Sequence, residues 1–377
     1  MKTKQSVSLY IHIPFCIKKC KYCDFLSFSS TEEGRNSYIR LLAEELKQKS
    51  IWTKDQMVIS IFFGGGTPSI LTKDQITYLM DVIYQYYTVE ENAEITIEAN
   101  PGTMTREKLK AYKEAGINRL SIGLQSTEDE ELKRIGRIHT YEQFEENYHM
   151  ARKVGFSNIN IDLMSALPGQ TMDSYERTLK KVLALEPEHI SAYSLIVEDG
   201  TPLAGDDLLL EMLPGEEIDR KMYHRTKELL QKAGYERYEI SNYAKKGYAC
   251  RHNMVYWQGG NYLGFGLGAS SYFEGERFHN PMEMEEYHTY QKEEAEVLSR
   301  EDKMEEFMFL GLRMTEGIQK EEFQSRFGVS MESIYGKILE EQEKEGLILQ
   351  NEKSVKLTER GLDVSNYVFC DYLLEKC

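Results

Sequence analysis

Cys16, Cys20 and Cys23 stand in the run Ile11-His-Ile-Pro-Phe-Cys-Ile-Lys-Lys-Cys-Lys-Tyr-Cys-Asp-Phe25, spaced CxxxCxxC. Three thiolates at that spacing can hold three corners of a four-iron four-sulfur cube and leave the fourth iron open to a ligand that is not protein. Complete cysteine ligation suits electron transfer, whereas an iron short of one ligand suits small-molecule chemistry. A structural zinc site would need four closed ligands in paired spacing, and Cys250, Cys370 and Cys377 are too scattered to supply a second pair. A disulfide scaffold fits worse, because six cysteines in 377 residues are sparse and no secretory leader is expected.

The elements that must position these thiols follow one repeated unit up to about residue 205, a short apolar strand and then an amphipathic helix. Strands are expected over 7–13, 58–63, 94–98, 119–124, 159–164 and 189–195. One helix should start at Thr72, with Gln75 completing a capping box, and continue through Ile76, Leu79, Met80 and Ile83 at helical spacing. Another should run from Thr140, with Gln143, through Phe144 and Ala151 until Gly155 stops it. Such a β/α alternation is an α/β fold, either doubly wound or a barrel, and periodicity alone does not choose between them.

The placing of polar residues does. In a barrel of parallel strands, functional groups gather at the carboxyl ends. Here the second strand runs into Gly64-Gly65-Gly66-Thr67-Pro68, the third ends on Glu98-Ala99-Asn100, the fourth on Gln125, and the fifth carries Asp162. Consecutive glycines let backbone approach a ligand closely, since no Cβ intervenes. A glycine run alone would be a turn, and a lone strand-end Asp or Gln a cap; together, after a cluster motif, they indicate one shared site.

The motif and these blocks resemble the HemN/HemW branch of the radical S-adenosylmethionine (SAM) superfamily. The resemblance covers nearly the whole chain, through Tyr10-Ile-His-Ile-Pro-Phe-Cys16, Phe63-Gly-Gly-Gly-Thr-Pro68, Ile97-Glu-Ala-Asn-Pro101, Ser121-Ile-Gly-Leu-Gln-Ser126 and Ile161-Asp-Leu-Met164 in that order. It implies a six-stranded partial TIM barrel and a 4Fe-4S cluster on Cys16, Cys20 and Cys23. The open iron of that cluster would bind SAM, which on reduction yields a 5'-deoxyadenosyl radical. It further implies that Tyr10 and Tyr22 line the pocket, that Gly65, Gly66 and Thr67 meet the methionyl end of SAM, and that Glu98, Gln125, Arg137 and Asp162 bind its polar atoms.

Within the branch, coproporphyrinogen III dehydrogenases of the HemN type carry CxxxCxxCxC and a longer extension before the cluster. Here Phe25 stands at the fourth cysteine position and fifteen residues precede Cys16. The run CxxxCxxCDF resembles instead the HemW heme chaperones, as does His252-Asn-Met-Val-Tyr-Trp257, which matches their HNxxYW block associated with heme. An imidazole can ligate heme iron and flanking aromatics can cover the macrocycle; a structural histidine beside core aromatics is the alternative. The resemblance thus implies heme binding at His252 and transfer of heme to an acceptor protein, with a reductase or flavodoxin-type electron donor. The alternative is oxygen-independent oxidative decarboxylation of coproporphyrinogen III, and radical chemistry on another small substrate also stays open. No catalytic residue is assigned.

The remaining sequence sets limits. The glycine-rich run 259–268 lacks a phosphate-binding GxxxxGK[ST] pattern and reads as tight packing or close approach of a planar ligand. Charged amphipathic segments over 307–312, 320–327 and 331–345, then short apolar runs at 347–349 and 355–357, resemble the winged-helix-like C-terminal region of the HemW family; Cys370 and Cys377 read as incidental thiols. The expected organisation is a radical SAM barrel over 1–205, a barrel extension with the HNxxYW block over 206–298 and the C-terminal domain over 299–377. A net charge of -16 argues against nucleic-acid binding. No apolar run reaches the ~20 residues of a membrane span. The expectation is a cytoplasmic protein, with peripheral membrane contact and a homodimer left open.

Overall fold

The computed structural model describes residues 5–288 and 295–374; Cys377 lies outside the described residues. All six expected strands form, as β1 (Ser6–Ile13), β2 (Met57–Gly65), β3 (Val89–Ala99), β4 (Arg119–Gln125), β5 (Ile159–Ser165) and β6 (His189–Ser194). They lie side by side in chain order, every neighbouring pair parallel. The connecting helices start where the sequence signals them. Thr72 and Gln75 complete the capping box of the helix Lys73–Tyr86, and Thr140 and Gln143 that of Tyr141–Val154, which ends at Gly155 with φ 101°.

The six strands are half of a larger sheet. Beyond β6 come β8 (Asn242–Ala244) and β7 (Glu236–Arg237), antiparallel; on the other side β9 (Tyr262–Phe265) runs parallel to β1, followed by the antiparallel β10 (Ser270–Phe273), β11 (Glu276–His279) and β12 (Glu296–Val297). The result is a mixed sheet of twelve strands, larger than the six-stranded barrel expected from sequence. The added strands are two to four residues long and present no alternation for a sequence pattern to register. Gly264 and Gly266 explain the glycine run here. A Cβ on Gly264 would lie 2.2 Å from the Ser270 carbonyl oxygen, and one on Gly266, at φ 96°, 2.6 Å from that of His12. Both glycines serve backbone packing.

Strand side chains alternate faces, and here the two faces differ sharply. Leu9, Ile61, Ile97, Ile122, Ile161 and Ile190 lie under the helices and are fully buried. The opposite face carries Ser8, Ser60, Thr96, Ser121, Asn160 and Ser191, also buried. Burial of polar side chains is costly unless they are hydrogen-bonded, and most of these bond one another: the hydroxyls of Ser8 and Ser60 share a 2.6 Å bond, and Asn160 Nδ2 donates to Ser121 at 2.7 Å.

A second hydrophobic core holds the C-terminal part, built from Met308, Phe323, Tyr335, Leu339, Val355 and Tyr372. Helices Arg300–Gly311, Lys320–Phe327 and Met331–Lys344 pack there with an antiparallel sheet of β13 (Ile318–Gln319), β14 (Ile348–Gln350) and β15 (Ser354–Leu357), ordered β13-β15-β14. Arg237 reaches across to Glu359 at 3.1 Å, and the Thr315 amide donates to the Tyr238 carbonyl at 3.0 Å. Among the described residues, no helix is long and apolar enough to cross a membrane.

The glycine-rich return is anchored by a buried ion pair. Lys49 Nζ lies 2.5 Å from Glu45 and donates to Asn280 at 2.9 Å and to the Gly264 carbonyl at 3.1 Å. Glu45 also accepts from the Gly266 amide and the Tyr287 hydroxyl. Lys49→Met should leave that carboxylate buried without its cation and destabilise the protein by about 3 to 5 kcal/mol, read as a lowered midpoint in urea unfolding.

Candidate cluster and cofactor site

The cysteine loop leaves β1 through Pro14 and is closed at its neck, where the Cys16 amide donates to the Phe28 carbonyl at 3.0 Å and the Phe28 amide to that of Pro14 at 2.9 Å. From one side the Lys21 amide donates to the Ile135 carbonyl; from the other, the Leu203 amide donates to Lys21, and the Lys21 side chain pairs with Asp206 at 2.9 Å. Cys16, Cys20 and Cys23 are partly buried free thiols. The glycine loop after β2 packs directly against them. Gly66 donates its amide to the Ile13 carbonyl at 2.9 Å, and a Cβ there would sit 2.8 Å from the Phe15 carbonyl oxygen and 3.0 Å from Cys16 Sγ. Gly65 sits at φ 116°, where a Cβ would meet the His12 ring at 2.7 Å. Only glycine fits these two positions.

From Cys16 a chain of polar contacts crosses the ends of β2 and β3 and returns to Cys20 through Arg137, on the loop after the helix Asp129–Arg134. Cys16 Sγ lies 3.4 Å from Thr67 Oγ1, which accepts from Asn100 Nδ2 at 2.9 Å; Asn100 Oδ1 accepts from Arg137 Nη2 at 2.9 Å, and Arg137 Nη1 donates to Cys20 Sγ at 3.6 Å. Arg137 also donates to the Gly123 carbonyl, while its Nε is buried without a partner. These residues enclose a cavity of about 200 Å³, walled further by Ile17, Ile138 and His139. Gln125 joins them: its Nε2, Arg137 Nη2 and Asn100 Oδ1 all lie within 3.2 Å of the point where a Gly123 Cβ would be. Gln125 holds φ 71° at a register shift between β4 and β5, a conformation costing about 1 to 3 kcal/mol in a residue with a side chain.

Tyr10, Glu98, Asp162 and His252 gather around a second cavity of about 210 Å³. Glu98 accepts from the Gly65 amide at 3.2 Å; burial, then the charge of Asp162, pushes its carboxyl up to about 8. Asp162 accepts from Asn160 at 2.7 Å and Ser121 at 3.2 Å, and burial raises it against those bonds. Burial likewise holds the Tyr10 and Tyr22 phenols far above their ordinary range, Glu98 adding to the effect at Tyr10 and Arg137 opposing it at Tyr22.

His252 lies on the helix Arg251–Trp257, whose first amides are capped by Glu94: it accepts from the Arg251 and His252 amides, each at 3.1 Å, and from the Cys250 thiol at 3.3 Å. The imidazole is 1% exposed and stacks on Phe62 with centroids 5.1 Å apart. Its Nδ1 bonds the Ser60 hydroxyl and its Nε2 the Tyr256 hydroxyl, each at 2.9 Å, and burial, then Arg119, lowers its pKa to about 3. The sequence suggested an imidazole offered to a macrocycle; in this arrangement a neutral ring faces inward with both nitrogens engaged. Arg119, His139 and Asn160 also line the two cavities and were not singled out from sequence as site residues. For Arg119 and Asn160 the available signal was a charged or amide residue in phase with Ser121 and Asp162 on strands otherwise apolar.

Comparison with known proteins identifies the scaffold. The pattern of the radical SAM superfamily matches residues 10–182, and that of the HemN C-terminal domain matches 298–364. A heme chaperone HemW of Lactococcus lactis is 37% identical over 98% of this chain and 97% of its own length; that of Bacillus subtilis is 38% identical over 98% and 99%. The chain belongs to the HemW family of radical SAM proteins. Coproporphyrinogen III oxidase (HemN) from Escherichia coli superposes with a TM-score of 0.87 over 98% of this chain and 91% of that one, at 23% identity, a likeness of fold.

Membership in the radical SAM superfamily implies a 4Fe-4S cluster and SAM, and the residues fit both. Three thiols share one loop that Gly66 lets the end of β2 approach, Arg137 has an unsatisfied Nε beside them, and a cavity with both polar and apolar walls adjoins. No three His, Cys, Asp or Glu side chains among the described residues converge tightly enough to hold a single metal ion, whereas the irons of a cube occupy separate corners. Each cavity, at about 200 and 210 Å³, is smaller than the roughly 300–1,000 Å³ of sites that enclose a drug-sized ligand, so neither alone encloses a molecule the size of SAM or heme.

Glu98 generates a pH dependence in protein free of cluster and SAM. Its folded pKa, about 8, exceeds the ordinary value of 4.5, so its protonated form stabilises the fold at low pH and that contribution is lost as pH rises from near 4.5 through 8. Glu98→Gln should flatten the fall in melting temperature across that window, measured by differential scanning calorimetry.

Proposed function

We propose that this chain is a heme chaperone built on a radical SAM scaffold, binding a 4Fe-4S cluster, SAM and heme and passing heme to an acceptor protein. The observation that carries this reading is the 37–38% identity, over 98% of the chain, to proteins named heme chaperone HemW. Cys16, Cys20 and Cys23 hold the cluster. Gly65, Gly66 and Thr67 meet the methionyl end of SAM, Glu98, Gln125, Arg137 and Asp162 its polar atoms, and Tyr10 and Tyr22 line the pocket. Bound together, cluster and SAM supply one-electron chemistry fed by a reductase or flavodoxin-type donor. Arg137 positions Cys20 and Asn100, while Glu98, its carboxyl raised to about 8 by burial, holds a proton beside Asp162.

In this reading β1 to β6 form a partial barrel over 1–205, residues 206–298 extend it, and 299–377 form a winged-helix-like domain in a cytoplasmic protein. Heme lies outside the two cavities, against an apolar rim: Ile17 and Ile138 flank the first cavity and Phe25 is 64% exposed on the cysteine loop. His252 acts as a positioning residue of the interior, since ligating iron would require it to part from Ser60 or Tyr256 and from the face of Phe62. Decarboxylation of coproporphyrinogen III is the second reading; Phe25 at the position of the fourth HemN-type cysteine disfavours it.

Two assays on anaerobically reconstituted protein test this. Heme should bind stoichiometrically, with a spectrum that His252→Ala leaves unchanged, and coproporphyrinogen III with SAM and reductant should be recovered intact. Conversion to protoporphyrinogen IX would establish the oxidase instead, and loss of an axial-ligand band in the variant would make His252 an iron ligand.

A further inference from the structure

Arg119 opens β4 and faces inward at the floor of the second cavity, 1% exposed. Its guanidinium cannot discharge by losing a proton at any ordinary pH. Its Nε has no hydrogen-bond partner, and among the described residues no carboxylate lies within ion-pair distance of it. Glu94, Asp162 and Glu98 act on it only through space, and each is engaged elsewhere, Glu98 by the Gly65 amide. Glu94 caps the Arg251–Trp257 helix and takes the Cys250 thiol; Asp162 accepts from Ser121 and Asn160. Beside Arg119 in the ladder, the hydroxyl of the fully buried Thr96 is likewise without a partner. An unpaired buried charge is costly enough that it calls for an absent partner, and a planar five-donor fork matches a carboxylate.

We propose that the floor of the second cavity is a carboxylate site, with Arg119 as the anchoring residue for an acid group entering beneath Glu98 and Asp162. The space, about 210 Å³, admits a small acid or one side arm of a larger molecule and excludes a whole macrocycle. Tyr193, which lines the same cavity, is 40% exposed and marks an entrance. Ser121, Ser191 and Asn253 add polar wall around the acid group. Two sources share this chemistry, a free small carboxylic acid and the propionate arm of a porphyrin. Only the second rests on the heme reading above.

The test uses the reconstituted protein. Carbon-13-labelled propionate is titrated against propionamide by NMR line broadening, and heme is compared with its dimethyl ester by absorption titration. Arg119→Gln and Arg119→Lys are checked for cluster content and far-UV circular dichroism. Saturable binding of propionate but not propionamide to wild type supports a free acid as the source. Tighter binding of heme than of its ester supports the porphyrin arm. Either preference should weaken about tenfold or more in Arg119→Gln, as expected for a charged hydrogen bond removed, and partly survive in Arg119→Lys. Wild type that binds neither propionate over propionamide nor heme over its ester would overturn the proposal, leaving water only at Arg119. That comparison needs no variant to fold. Equal binding of heme and ester would still leave heme binding itself intact.

Discussion

Everything at the mouth of this fold depends on one close approach, that of the Gly64–Thr67 backbone to the cysteine loop. Glycine at 66 brings the end of β2 within contact of Cys16, and Thr67 is then placed to bond the Cys16 sulfur. From there Asn100 and Arg137 complete a closed path back to Cys20. Thr67 and Asn100 follow the ends of β2 and β3 and Arg137 follows the helix Asp129–Arg134, so the thiols are tied to neighbouring elements as well as to their own loop. A methyl group on Gly66 would force Phe15, Cys16 or the β2 end to move and open that path at its first link.

The same sheet solves a second problem, the burial of a polar face. Under the helices the strands are uniformly apolar, whereas inside they carry hydroxyls, amides and charges that must find partners in one another. Ser60, His252 and Tyr256 form one such chain; Asn160, His189 and Tyr238 form another, through bonds of 2.6 and 2.8 Å. Glu98 and Asp162 close the top of this interior, with carboxyls raised by burial. Arg119 is the member of the network whose charge is left without a contact partner. With the neighbouring Thr96 hydroxyl also unpartnered, the deficit at Arg119 is local and opens onto space of defined size.

Much of this was legible in the sequence because it rests on local signals. The strands from β1 to β6 announce themselves as short apolar runs, and Thr72 with Gln75 fixes a helix start within four residues. The cysteine spacing, the glycine loop and the polar strand ends are contiguous motifs, and they converge because parallel strands share one carboxyl edge. His252 was harder. Its motif was visible, but the helix that bears it lies 192 residues from Ser60, which holds its ring, and no local pattern tells an imidazole facing outward from one facing in. Arg119 carried only the weak signal of its phase with Ser121, since an inward guanidinium and a solvated one otherwise read alike at a strand start. The short strands β7 to β12 escaped because they borrow order from a sheet already made.

The central proposal is that Cys16, Cys20 and Cys23, on the loop after β1, hold a four-iron cluster whose remaining iron faces the cavity beside Arg137. Mössbauer spectroscopy of protein reconstituted with iron-57, recorded with and without SAM, tests this most directly. The account predicts that one iron of the cube is distinct from the others and that its signal shifts when SAM is added. Four irons of equivalent ligation, indifferent to SAM, would mean a fourth protein ligand closes the cluster and would contradict the site as built here.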